Sequence, residues 1–221
     1  MKKNFERCFF VGIIILSLFF LGGCAGSKTY LLNLNYDTSK TSPFVSGATQ
    51  PVTLALYNIQ DARPEREYLG RWLYRDGTVD FFKPDAGTVE QVVTKAFTNL
   101  LEKAGFKVVP VNRFLDPAKE EFKDIPADAA FGGTLEALWV EAKKGVMTTD
   151  SSAKMRLRIH WGIVKTRTWM TKTIEADAQE SDRPLYGPKN AEAMINGIFK
   201  DGLDKLLKDE ATLKGIFQGS K

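Results

Sequence analysis

An apolar stripe runs without a miss through residues 88–104. Val89, Val92, Val93, Ala96, Phe97, Leu100, Leu101 and Ala104 recur at i, i+3, i+4 spacing. That spacing sets them on one side of an α-helix, and such a side needs an apolar surface to bury it. Thr88, with Gln91 three residues on, matches a capping box at the helix start. Gly105 stands where a left-handed residue closes a helix. A second stripe, Met194, Ile195, Ile198, Phe199, Leu203, Leu206 and Leu207, predicts a final helix capped by Asn190. Gly197 and Gly202 weaken it by about 1 kcal/mol each relative to alanine.

What these helices cover is read from the alternating segments. Tyr30–Tyr36 reads as a first strand, residues 37–51 as a loop rich in Thr, Ser, Gly and Pro, and Val52–Ile59 as a sheet strand. Asp61–Asp76 is polar, charged and broken by Pro64 and Gly70, so it reads as a long loop, followed by a short strand at Gly77–Phe82. Phe106–Val111 is a strand, and Asn112–Ala129 a loop with room for a short helix. Three long strands follow at Phe131–Lys143, Ser152–Lys165 and Thr168–Gln179. In the second, Ala153 to Ile163 alternate apolar against Lys154, Arg156, Arg158 and His160. A two-residue turn at Thr166-Arg167 sets Leu157 opposite Ala176, Ile159 opposite Ile174, Arg156 opposite Asp177 and Arg158 opposite Glu175. One register then satisfies both faces. The predicted fold is α+β: a two-layer sandwich, with two amphipathic helices on one face of a mixed, mostly antiparallel sheet.

Not all of the chain belongs to that domain. Lys2, Lys3 and Arg7 precede an apolar run from Cys8 to Leu21, and Leu21-Gly22-Gly23-Cys24-Ala25 ends it. A basic start, an apolar middle and small residues at the end form a secretory signal. The alternative is a transmembrane anchor, but the run of 14 residues is shorter than the ~20 that span a bilayer. Leu-Gly-Gly-Cys resembles the lipobox of bacterial lipoproteins. The resemblance implies cleavage before Cys24, diacylglycerol on its thiol and acylation of the new amino terminus. Stable anchoring takes at least two acyl chains, which a triacylated Cys24 supplies. Ala25 rather than Asp after the cysteine implies the outer membrane over the inner. The expected organisation is a cleaved leader at 1–23, a lipidated tether and first strand at 24–51, one α+β domain at 52–208 and a tail at 209–221.

Removing residues 1–23 leaves 198 residues and lowers the formal net charge from +4 to about +2. That balance does not suit a nucleic-acid binder, which carries a concentrated basic face. Cys8 leaves with the signal and Cys24 is the lipid site, so no disulfide or thiol metal site is expected. His160 is the only histidine, which excludes a histidine zinc triad and offers a base without a partner. No nucleophile elbow, zinc-protease helix or phosphate loop occurs. The expectation is a chain that is not an enzyme and takes no metal or cofactor.

Two surface features remain. The stripe Lys154, Arg156 and Arg158 is either a site for anionic head groups or a row neutralised by Glu175 and Asp177; direct cross-strand pairing favours neutralisation. The segment Asp61–Asp76 combines arginines with aromatics, the residue types enriched at binding hot spots. Arg63, Arg71 and Trp72 are therefore the candidate partner-binding residues, against the alternative of a loop folded over the sheet edge with Trp72 as a plug. Trp139, Trp161 and Trp169 fall in strands and read as packing residues.

The lipobox, the early Tyr30-Leu31-Leu32-Asn33-Leu34 strand, and Val52-Thr53-Leu54-Ala55-Leu56 leading into Asp61-Ala62-Arg63-Pro64 together resemble YajG-type uncharacterised lipoproteins. They also resemble, more distantly, auxiliary lipoproteins of ABC-type transporters. The resemblance covers most of the mature chain as an element order with one short motif. It implies a non-catalytic interaction or accessory module on the periplasmic side, with an envelope protein partner such as a transport assembly. The alternative is a carrier of lipid or another apolar ligand for an ABC-type transport system.

Overall fold

In a computed structural model, the residues described are 26–36 and 52–207. The expected leader, Cys24, the expected loop at 37–51 and the expected tail at 209–221 lie outside them. The elements are β1 (Thr29–Leu32), β2 (Thr53–Asp61), β3 (Gly70–Leu73), β4 (Val79–Pro84), α1 (Val89–Lys103), β5 (Lys107–Phe114), a 3-10 turn (Phe122–Asp124), β6 (Ala129–Lys144), β7 (Thr149–Ile163), β8 (Thr168–Arg183) and α2 (Pro188–Leu207). They form an α+β fold: one mixed eight-stranded sheet with two helices.

β6 organises the sheet. One of its edges pairs with β7 along its whole length, and β7 pairs in turn with β8, both antiparallel. The other edge is shared. Its first half, Ala129 to Leu135, pairs parallel with β2, which carries β5. Its second half, Val140 to Lys143, pairs parallel with β3, which leads to β4 and β1. Four of the seven pairings are therefore parallel, where a mostly antiparallel sheet was expected; the two longest are antiparallel. A bulge at Glu136 marks the division. The extra residue shifts the inward set from Phe131 and Leu135 to Leu138, Val140 and Ala142.

The two helical stripes behave as their spacing predicts. α1 begins with the capping box: Gln91 N–H donates to Thr88 Oγ1 at 3.2 Å, and Thr88 N–H donates to Gln91 Oε1 at 3.0 Å. Gly105, at φ 101°, takes the left-handed turn after it. Phe97 and Leu100 of α1 and Ile195, Ile198 and Phe199 of α2 belong to one continuous core with the inward residues of β2, β6 and β7. α2 starts at Pro188, two residues before the expected cap. Proline suits a first helical position, and Asn190 Oδ1 instead accepts Gly187 N–H at 2.9 Å. Gly202 also has a positive role: a Cβ there would lie 2.9 Å from Met155 Sδ, so its absence lets α2 approach β7.

Three other expectations are corrected. β1 ends at Leu32; beyond it, Asn33 and Asn35 donate backbone N–H to Glu192 and Asn196 of α2, at 2.8 and 2.9 Å. β5 runs on to Phe114, shortening the following loop. The β7–β8 register sets Leu157 opposite Ile174, Met155 opposite Ala176 and Arg156 opposite Glu175. The turn occupies four residues, 164–167, with Arg167 N–H donating to Val164 O at 3.2 Å and Arg167 at φ 52°. The slip is two residues, so every side chain keeps its face while its partner changes.

On the sheet face away from the helices, segment 115–127 covers β2, β5 and the first half of β6. Leu115, Phe122 and Ile125 pack there on Ala55, Tyr57 and Ala130. Phe122 stacks on Trp169 at 4.8 Å above Gly162. Glu120 pins the segment by accepting from Tyr57 Oη at 2.7 Å and Arg113 Nη2 at 2.6 Å.

Candidate functional site

The segment Asp61–Asp76 is not a free loop. Gly70–Leu73 is strand β3. A Cβ on Gly70 would meet Val140 O at 2.0 Å, so only glycine lets β3 lie this close to β6. Arg63 is 3% exposed and fills the split in the sheet. Its Nε donates to Asp61 Oδ1 at 2.9 Å, Nη1 to Tyr68 O at 2.8 Å and Leu138 O at 3.0 Å, and Nη2 to Asp61 Oδ2 at 2.9 Å and Arg66 O at 3.0 Å. All five guanidinium N–H groups are used. Leu138 O lies where β2 has left β6 and β3 has not yet joined, so Arg63 replaces a missing ladder bond. The basis for placing Arg63 in a binding loop is thereby corrected: it has no donor to offer a partner.

Trp72 turns into the core at 8% exposure. It stacks on Tyr74 at 4.9 Å and meets Tyr186 edge-on at 5.3 Å. The plug reading fits it. Arg71, one residue earlier and on the opposite face, is exposed, and its Nε donates to Glu141 Oε2 at 2.8 Å. Burial pushes the Glu141 carboxyl up, but hydrogen bonds from Lys143 and Arg71 outweigh it and hold the group below its ordinary range.

Beside Arg71 lies the part of the outer sheet face that segment 115–127 leaves uncovered. Its centre is Trp139, half-buried, in a row with Lys154 and Asp177 across β6, β7 and β8. Trp139 is a wall of two clefts. One, of about 320 Å³, lies between Pro64 and Glu65 on one side and Glu136 and Trp139 on the other. The second, of about 400 Å³, runs over Glu141, Ser152, Asp177 and Gln179. Lys154 borders both.

The cationic stripe is neutralised chiefly by a residue from the opposite neighbour strand. Glu136, lifted out by the bulge, accepts from Arg156 Nε at 3.0 Å and Arg158 Nη2 at 2.5 Å; Arg156 also meets Glu175 at 3.3 Å. Among the described residues Lys154 and Asp177 make no ion pair, although they face each other. His160 sits one pair beyond Arg158, its Nδ1 2.8 Å from Thr171 Oγ1. Burial and the Arg158 charge lower its pKa, against the opposing pull of Asp116. Among the described residues no three His, Cys, Asp or Glu side chains converge as a metal site.

The sequence assigned Trp139 to packing together with Trp161 and Trp169, whereas Trp161 is buried and Trp139 is half-buried on a cleft wall. Its signal was present, an aromatic at an outward position two residues before Glu141. Which outward positions a distant loop would cover was not.

No family model matches the chain, and no curated protein matches it. Several solved structures are similar to it. A Xanthomonas campestris protein of family DUF330 is similar over 81% of this chain and 92% of its own, with 12% identity and a TM-score of 0.51. A neuraminyllactose-binding hemagglutinin homolog from Helicobacter pylori is similar over 86% and 97%, with 11% identity and a TM-score of 0.48. Lipoprotein GNA1162 from Neisseria meningitidis is similar over 68% and 97%, with 10% identity and a TM-score of 0.37. The first likeness places the fold among known ones; at these identities it speaks to fold alone.

Proposed function

We propose that this chain is an envelope lipoprotein, held to the outer membrane by acyl chains on Cys24, whose domain acts on the periplasmic side as a non-catalytic interaction module. The observation that carries the interaction role is the uncovered sheet face around Trp139. A half-buried tryptophan between two clefts supplies contact area at low rotamer cost. Lys154, Asp177 and Glu65 beside it hold charges that no partner among the described residues uses, which is how a polar rim gains specificity. Pro64 stiffens one cleft wall and so lowers the ordering cost of binding. An envelope protein, such as a component of a transport assembly, is the partner class this surface fits.

A photo-crosslinking amino acid at Trp139 in intact cells is expected to capture one discrete protein band. The same group at Thr166, in the β7–β8 turn, is expected to capture none. Equal labelling at both positions would remove the site. The carrier alternative is favoured by cleft volumes within the range of ligand pockets. Both clefts have charged rims, however, so native mass spectrometry of gently extracted protein is expected to find no stoichiometric lipid. A lipid at one-to-one ratio would reverse the choice.

The anchor has its own test. Wild-type protein is expected to show an intact mass that begins at Cys24 and includes acyl chains, and Cys24→Ser to leave the membrane fraction. An unprocessed wild-type mass, or Cys24→Ser still bound to membranes, would sink it.

A further inference from the structure

We propose that one end of the sheet lies against the bilayer, with Val146 and Met147 of the β6–β7 hairpin tip and Leu185 inserted among the lipid head groups. This rests on the Cys24 anchor proposed above.

The first observation is where apolar side chains are wasted on water. Among the described residues five large ones are exposed, and the three most exposed are Val146 at 77%, Met147 at 84% and Leu185 at 85%. Scattered exposed apolar residues need no explanation. These three lie at one end of the sheet. Gly145 N–H donates to Thr148 O at 2.7 Å, closing the tip on Val146 and Met147. Thr149, at the foot of that hairpin, pairs with Arg183, two residues before Leu185. The β6–β7 hairpin thus presents an apolar point, with a third apolar residue at the same end of the sheet.

The second observation is where the anchor leaves the fold. β1 pairs parallel with β4, Thr29 opposite Phe81. Lys28 N–H donates to Asp80 Oδ1 at 2.8 Å, and Ser27 Oγ donates to Val79 O. Val79 pairs with Leu73, Leu73 with Lys143, and Lys143 with Asp150. The rung that holds Ser27 is therefore the rung at the base of the β6–β7 tip. Gly26 points past it, off the same end of the sheet. β1 and β6 stand three strand spacings apart, about 14 Å. Cys24 is two residues before Gly26, a reach of at most ~7 Å. An acylated Cys24 then cannot lie far from this end, and the apolar tip meets the surface into which the acyl chains dip.

Charge does not set the lipid class. Lys28, Arg75, Lys143, Lys144 and Arg183 at this end are offset by Asp76, Glu141, Asp150, Glu180 and Asp182, so the contact is apolar insertion and serves neutral and anionic head groups alike. Trp139 lies five residues up β6 from Lys144, about 16 Å from this end at strand rise. Seating the molecule this way keeps the partner-binding face clear of the membrane.

The test uses full-length, lipidated protein with Met147→Cys, Leu185→Cys or Thr166→Cys, labelled with a polarity-sensitive fluorophore. The proteins are reconstituted into phosphatidylcholine vesicles, with and without phosphatidylglycerol, carrying a lipid nitroxide near the head groups. Cys24, its sulfur in thioether linkage, does not take the label. Positions 147 and 185 are expected to shift their emission to the blue and lose most of it to the nitroxide in both lipids; position 166, at the far end, is expected to keep its aqueous emission. Aqueous emission at 147 in protein that sediments with the vesicles would overturn the orientation with the anchor intact. Blue emission without quenching would mean that protein, not lipid, covers the tip, and would also overturn it. Protein that carries no acyl mass and stays in the supernatant would refute the anchor, and this proposal with it.

Discussion

Leu100→Asp is expected to leave no folded domain at room temperature. Leu100 is fully buried in the core that α1 shares with β2 and β6. The substitution removes a leucine side chain, which costs about 2–5 kcal/mol through lost transfer energy and a cavity. It also strands a carboxylate in apolar surroundings, which adds several kcal/mol or forces the group to take up a proton. Domains of this size are stable by only about 5–15 kcal/mol, and the two losses together are as large as that margin. Far-UV circular dichroism and a thermal scan would check it. A cooperative transition near the wild-type temperature would mean that the stripe does not face the core. Glu90→Ala, at a half-buried position in the first turn of the same helix, is the comparison and should change little.

Arg63→Ala should be nearly as damaging, although the residue lies in a segment whose composition reads as a surface loop. The substitution leaves the Asp61 carboxylate buried without its partner, and breaking such a pair costs about 3–5 kcal/mol. It also strips donors from Tyr68 O, Arg66 O and Leu138 O, and each unsatisfied buried group adds about 1–3 kcal/mol where water cannot enter. Arg63→Lys should recover little, because an ammonium has three donors and no planar fork. Arg71→Ala breaks only the exposed pair with Glu141 and should cost less than about 1 kcal/mol. Urea midpoints of the three variants would decide. If Arg63→Ala melts with wild type, the guanidinium is not what closes the split between β2 and β3.

Arg63 and Arg71 also mark how far the chain can be read without its fold. Helix α1, its cap, the β7–β8 hairpin and the inward set of β7 follow from local periodicity and capping chemistry, and the structure keeps them. The hairpin register is the instructive near miss. A slip of two residues leaves every side chain on its face, so patterning alone does not separate the two registers, and only the four-residue turn chooses between them. β3 was hidden because its four residues include a glycine and an arginine, which local preference assigns to a loop. Its strand state comes from pairing with β6 and β4.

The candidate surface divides in the same way. The sequence alone determines that a basic start and an apolar run lead into Leu21-Gly22-Gly23-Cys24, that the domain mixes helices with a sheet, and that Lys154, Arg156 and Arg158 share one strand face; each depends on neighbours within a few residues. Only the tertiary structure decides that Arg63 closes the split in the sheet while Arg71 stays on the surface, that Glu136 neutralises the arginines, and that segment 115–127 leaves Trp139 uncovered between two clefts. Those outcomes depend on a bulge in β6, on a shared strand edge and on where segment 115–127 comes to rest. All three are set by contacts between residues far apart in the chain, whose burial and pairing no local pattern encodes.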